Sequence, residues 1–338
     1  MPPRPLAQLP KAHLHLHFTG SMRHSTLVEM AGEHGVHLPE QLAADWPPQL
    51  SAADERGWFR FQRLYDMARS VVRTPADVRR LLLEAAHDEL AEGSGWLELQ
   101  IDPSGYAGRF GGLTAMLELV LDAAAAAREA TGVGIGIIVA ANRTRHPLDA
   151  RTLARLAAAY AGHGVTGFGL SNDERRGNVS DFAAAFRIAG KAGLRLVPHG
   201  GELAGPASVR ACLEELHADR IGHGVAAAGE PELLKRIAAG AVTLEVCPTS
   251  NVALGVVATG ADVPLTPLLD AGVPVALGAD DPLLFGPRLG AQYELARQVH
   301  GMNDAELAEL ARMSVRGSSA PTAIRHRLLT GIDDWLAS

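Results

Sequence analysis

Cysteine is nearly missing from this chain: Cys212 and Cys247 are the two among 338 residues. Two cannot build a disulfide framework, and a structural zinc site of four cysteines is excluded. A reducing, cytoplasmic setting is therefore the expected one. Aromatic residues make up 5% of the chain, so the core must rest on Ala, Leu, Val and Ile. There is no basic stretch and the formal net charge is −7, which argues against nucleic acid as a partner and for a small molecule. Long apolar runs are also lacking. The most apolar stretch, Ala241 to Ala261, is broken by Glu245 and Pro248, so no membrane span is expected. Met1 to Pro10 carries Arg4 as its one charge and no apolar run of signal-peptide length. Nothing in the sequence sets an oligomeric state.

What is present is alternation. Eight short apolar runs end in polar or glycine-rich segments: Ala12–His17, Trp96–Ile101, Gly134–Val139, Val165–Leu170, Leu194–His199, Arg220–His223, Ala241–Val246 and Val273–Gly278. Helical patterns separate them, among them Leu113–Glu129, Leu148–Tyr160, Val179–Ala192, Pro206–His217 and Pro231–Ala239. Alternating strands and helices imply right-handed crossovers and a parallel sheet. Eight such units predict an α/β fold closed as a (β/α)8 TIM barrel rather than an open, doubly wound sheet. Two segments exceed a minimal barrel: a helical insert after the first strand, Ser25–Ala91, and extra C-terminal helices in Asn303–Leu336. Within the insert, the aromatic-rich Trp58–Val72 reads either as core packing or as a lid. No linker divides the chain, so residues 1–338 are expected to form one domain.

The chemistry-bearing residues sit at the ends of the apolar runs. In Lys11-Ala-His-Leu-His-Leu-His17 three histidines alternate with apolar residues. On a strand, residues two apart share a face roughly 7 Å apart, so His13, His15 and His17 are expected to point one way. His199 ends the fifth run and is followed by Gly200-Gly201-Glu202. His223 lies between two glycines after the sixth, and Asp280-Asp281 follow the eighth. Adjacent carboxylates repel unless a cation neutralises one of them. All four pieces fall at the C-terminal ends of strands, where barrel active sites are assembled. Three imidazoles and one carboxylate suit a borderline divalent ion such as Zn²⁺, which lowers the pKa of water from near 16 towards about 7.

Five motifs carry a resemblance over nearly the whole chain, from about Leu9 to Leu329. They are H-L-H with Gly20, H-G-G-E at 199–202, R-I-G-H-G at 220–224, C-P-T-S-N at 247–251 and G-A-D-D-P at 278–282. Together they resemble the adenosine deaminase family of the amidohydrolase superfamily. The resemblance implies a zinc-dependent hydrolytic deaminase that converts a 6-aminopurine nucleoside, adenosine-like with or without a 5′ modification of the sugar, to the 6-oxopurine plus ammonia. It implies one Zn²⁺ per chain on His15, His17, His199 and Asp280. It also implies Glu202 sharing a proton with purine N1, His223 orienting and deprotonating the attacking water, and Asp281 bonding N7 or that water. The cytidine-type zinc deaminases, with paired C-x-x-C ligands, do not fit a chain without such a pair.

Departures from the family pattern gather around the purine. Thr19 stands where adenosine-acting members carry an acidic residue for the ribose 5′-hydroxyl. Asn172 stands where a glycine backbone meets purine N3. His13 replaces a glutamate, and Gln100 replaces the arginine of E-x-R. The expected substrate contacts are thus His17, Thr19, Asn172 and Asp281. Adenine or another aminopurine is the alternative substrate. A single-metal amidohydrolase acting on an amide or ester is the alternative class; the fourth run ends in Gly-Leu-Ser-Asn, with no lysine to bridge two metals.

Overall fold

The computed structural model describes residues 3–52 and 54–338. Eight strands form: β1 (Lys11–His17), β2 (Ser94–Ile101), β3 (Gly134–Asn142), β4 (Val165–Ser171), β5 (Arg195–Gly200), β6 (Arg220–His223), β7 (Thr243–Val246) and β8 (Val275–Leu277). They pair in sequence order and every pair is parallel. A parallel bridge between Leu16 and Asp280 joins β8 to β1 and closes the barrel. All eight expected runs are strands. Three start late: β5 begins at Arg195 rather than Leu194, Ala241 takes a left-handed turn with φ 49° before β7, and β8 begins only after Pro274.

The helices follow from local signals. Those at Pro147–Ala159, Pro206–Glu215 and Pro231–Ala239 each begin on proline, whose fixed φ suits the first turn and whose missing N–H has no partner there anyway. The helix Leu113–Thr131 stops at Gly132, which is left-handed at φ 77°. The expected helix at Val179–Ala192 is divided into a 3₁₀ turn, Val179–Phe182, and a helix, Ala183–Lys191.

The insert holds helices His24–Glu33, Glu40–Ala43, Glu55–Ser70 and Pro75–Ala91. Asp54 caps Glu55–Ser70 by accepting from Gly57 N at 2.6 Å. This aromatic-rich helix crosses the mouth of the barrel, where Phe61 stacks on Phe285 after β8 at 5.9 Å. The tail forms helices Asp304–Gly317 and Thr322–Ala337. The first packs against β1 and β8, and Ser314 Oγ accepts from Ala12 N at 3.0 Å. Among the described residues no helix is long and apolar enough to cross a membrane.

Closure draws backbone and imidazole together. A Cβ on Gly222 would lie 2.7 Å from His15 Cε1 and 3.3 Å from His199 Cγ, both inside normal contact. Gly222→Ala is therefore expected to destabilise the fold by about 1–3 kcal/mol, the usual penalty for overpacking. The urea midpoint measures it; an unchanged midpoint means the two rings can move aside.

Candidate active site

The ends of β1, β5, β6 and β8 bring the expected side chains together. His17 Nε2 lies 3.1 Å from Asp280 Oδ1 and 3.3 Å from His199 Nε2. His15 Nε2 is 3.5 Å from the same Asp280 oxygen and has no hydrogen bond of its own. The His15 and His199 ring centroids are 4.7 Å apart, edge to face with an interplanar angle of 62°. Two overlapping donor groups share Asp280: one adds His15, His199 and His223, the other His17 and Asp281. Imidazole nitrogens and carboxylate oxygens converging with an unpartnered buried nitrogen among them fit a divalent cation.

Three residues here adopt left-handed backbone without being glycine: Asp280 (φ 62°), His223 (φ 64°) and Asn172 (φ 81°). Such conformations cost about 1–3 kcal/mol each and persist where surrounding structure over-determines them. Here the neighbouring strand does so. Asp280 N donates to His15 O at 3.0 Å, and His17 N donates to Asp280 O at 3.1 Å.

Burial sets the protonation pattern. It penalises charge on His15, but the carboxylates of Asp280 and Glu245 outweigh it and push the imidazole up to about 10. The proton they attract is the charge a bound cation would replace. Burial also disfavours a charged Asp280, yet the imidazoles of His15 and His17 beside it hold it well below the carboxylate range. His223 is pushed down to about 3 by burial, more than the nearby carboxylates restore, and stays neutral. Glu202 is raised well above the usual range by burial, reinforced by Asp280 and Glu174. Asp281 is raised to about 7 by burial and by Asp280. The site thus separates its carboxyl groups into Asp280, held ionised, Glu202, held protonated, and Asp281, which titrates around neutrality.

A supporting layer went unread in the sequence. Glu245 on β7 accepts from His15 Nδ1 at 2.7 Å, which leaves Nε2 as the free donor atom. Arg220 on β6 donates to Glu245 at 2.6 Å and to Glu98 on β2 at 2.5 Å, and Glu98 accepts from Trp96 Nε1 at 3.0 Å. Ser250 Oγ donates to Asp280 Oδ2 at 2.6 Å, and Asn251 Nδ2 stands 3.4 Å from His223 Nδ1. The C-P-T-S-N motif was legible as a motif; its two orienting side chains were not assigned.

One expectation is corrected. His13 does not join His15 and His17. The β1–β2 register shifts between His13 and Leu16, a bulge that re-aims the side chain. His13 bonds Glu89 at 2.6 Å instead, while its other nitrogen accepts from Ala279 N at 3.0 Å.

A cavity opens over the cluster, lined by His17, Asn172, His199, Glu202, His223, Asp280 and Asp281, and roofed by Trp58, Phe61, Gln62 and Tyr65 of the Glu55–Ser70 helix. That helix therefore covers the site. Asn172 ties it down, donating to Gln62 Oε1 at 3.2 Å and accepting from Trp58 Nε1 at 3.4 Å. Thr19 does not line the cavity. Its hydroxyl is buried and bonded to the Tyr106 hydroxyl, and it is Tyr106 that faces the cavity.

A closed parallel barrel with this donor cluster at the C-terminal ends of its strands defines an amidohydrolase-type hydrolase. The chain belongs to the adenosine deaminase family, whose model matches residues 10–335; its members are hydrolases acting on C–N bonds of cyclic amidines. A Streptomyces coelicolor protein provisionally named adenosine/adenine deaminase is 63% identical over 99% of both chains. An adenine deaminase of Rhizobium leguminosarum is 36% identical over 95% of this chain and 98% of its own. The crystal structure of adenine deaminase from Arthrobacter aurescens superposes with a TM-score of 0.89 at 30% identity, covering 97% of this chain and 99% of that one. The family is metal-dependent, in keeping with the buried His/Asp cluster.

Glu245→Gln should loosen the imidazole that Glu245 holds. Metal affinity is expected to fall about 10–100-fold, the usual effect of losing such a partner. Competition with a chelator measures this; wild-type affinity would show that His15 needs no fixed tautomer.

Proposed function

We propose that this chain is a hydrolytic deaminase of the 6-aminopurine ring with adenine as its preferred substrate. His15, His17, His199 and Asp280 would hold one zinc ion. His17 is preferred to His223 as the third imidazole because His223 Nε2 faces the Glu202 carboxyl group at 3.6 Å. When bound, such an ion supplies Lewis-acid activation of the attacking water.

The observation that carries the reading is the grouping of Glu202, His223 and Asp281 around the donor cluster in one buried cavity. The reaction exchanges a C–N bond at C6 for a C–O bond and releases ammonia. Glu202, kept protonated by burial, donates to ring N1, which makes C6 electrophilic. His223, kept neutral, accepts a proton from the attacking water. Asp281 carries a proton near neutrality and can donate it to ring N7. The departing amino group takes up the proton held by His223 and leaves as ammonia, while the new C6 hydroxyl gives its proton to Glu202 as the C6=O bond forms. The Asn172 backbone and His17 complete the contacts to the purine, the Asn172 side chain being held by Trp58 and Gln62.

Adenine is favoured over adenosine by the wall at Tyr106. The residue expected to meet a ribose 5′-hydroxyl, Thr19, is turned away and bonded behind that wall. The relatives named adenine deaminases support the same choice.

Glu202→Gln should lower kcat for adenine by about 10²–10⁴-fold, the usual contribution of general acid–base catalysis, with metal content unchanged by elemental analysis. Retained turnover would remove the proton role. In an ammonia-release panel of adenine, adenosine, 2′-deoxyadenosine and 5′-modified nucleosides, adenine should show the highest kcat/KM. A nucleoside turned over faster would overturn the substrate assignment, and a panel without ammonia release would overturn the reaction class.

A further inference from the structure

The carboxylate of Glu174, in the loop after β4, is used by nothing described so far except to raise the Glu202 pKa. It is 6% exposed and points at the loop that follows β5. Its Oε2 accepts from the backbone N–H groups of Glu202 (2.9 Å), Leu203 (2.7 Å) and Ala204 (3.0 Å). Its Oε1 accepts from Gly201 N–H and from the Ser208 hydroxyl. Residues 201–204 belong to no helix or strand, so these four amides have no ladder to enter. Buried amides need partners, and one side chain supplies them all.

We propose that Glu174 is the positioning residue for Glu202: its carboxylate fixes the backbone of residues 201–204 and thereby places the Glu202 carboxyl group in the cavity. The inference rests on the role proposed for Glu202. The same loop holds the covering helix, since Asn172 bonds Trp58 and Gln62, and Arg175 donates to Ala52 O at 3.0 Å. Glu174 therefore joins the proton carrier to the segment that anchors the lid.

Glu174→Gln tests this. The amide keeps one accepting oxygen and turns an N–H₂ towards donors that need an acceptor. With the metal-loaded enzyme, kcat for adenine should fall about 100-fold, the scale of a 1 Å misplacement. KM should stay within about threefold and metal content should not change, because Glu174 contacts the backbone of 201–204 and not the cluster side chains or the lid helix itself. Hydrogen exchange at the amides of 201–204 should quicken while those of β4 and β5 stay protected. Ser208→Ala, which removes one donor and leaves the carboxylate, should shift kcat in the same direction by less.

Unchanged kcat would overturn the proposal, as would a loss of kcat without faster exchange in 201–204. Faster exchange throughout β4 and β5 would also overturn it, by showing a general structural role. The exchange measurement is made without substrate. A failure of Glu202 as proton carrier would appear separately, as retained turnover in Glu202→Gln.

Discussion

Everything at this site hangs on the seam where β8 meets β1. Two backbone hydrogen bonds, Asp280 N to His15 O and His17 N to Asp280 O, close the barrel there. The side chains of those same three residues are three of the four proposed ligands. Closing the barrel and assembling the donor cluster are one event. This explains why Asp280 tolerates a left-handed backbone: extended geometry at that position would break the seam. It also explains the glycines nearby, since a Cβ on Gly278 would lie 2.7 Å from His15 Cβ.

A cluster assembled this way concentrates charge where water is excluded, and the barrel answers with a second layer. Glu98, Arg220, Glu245 and His15 form a chain of alternating charge from β2 through β6 and β7 to β1. Arg220 is fully buried, which is tolerable only because two carboxylates and the Gly317 carbonyl take its donors. Each link lies on a different strand, so the chain also fixes the strands' relative positions beneath the site.

That layer shows where legibility stopped. The strands could be read because each is an apolar run bounded by turn formers, and the site because barrel chemistry gathers where those runs end. Glu98 and Glu245 are lone acids inside apolar strands. Their partners are set by register across the barrel, which no local pattern encodes. Arg220 could be seen as part of a motif but not as the bridge between two carboxylates. His13 was misplaced because period-two reasoning assumes an unbroken strand, and a bulge lies between it and Leu16. Glu174 gave no signal, because what it binds is backbone.

The departures from the family pattern turn out to be local exchanges, each with a partner on another element. His13 stands where a glutamate is usual, and Glu89 of the Pro75–Ala91 helix brings a carboxylate to it. Asn172 stands where glycine is usual and keeps a glycine-like φ of 81°; asparagine is among the few other residues that adopt it readily. Its side chain, which glycine would lack, is spent on Trp58 and Gln62 of the lid. Gln100 lies 3.4 Å from His15 Nδ1, beside the Glu245 contact. Thr19 has no such substitute for a carboxylate. Tyr106 takes its hydroxyl, and Thr19 is buried behind that ring. Three exchanges thus preserve a backbone shape or a contact at the His/Asp cluster and lid, and the fourth puts a tyrosine hydroxyl at the cavity wall in place of the Thr19 side chain. That asymmetry separates a conserved donor cluster from an altered pocket wall, and the proposal of adenine as substrate rests on the wall alone.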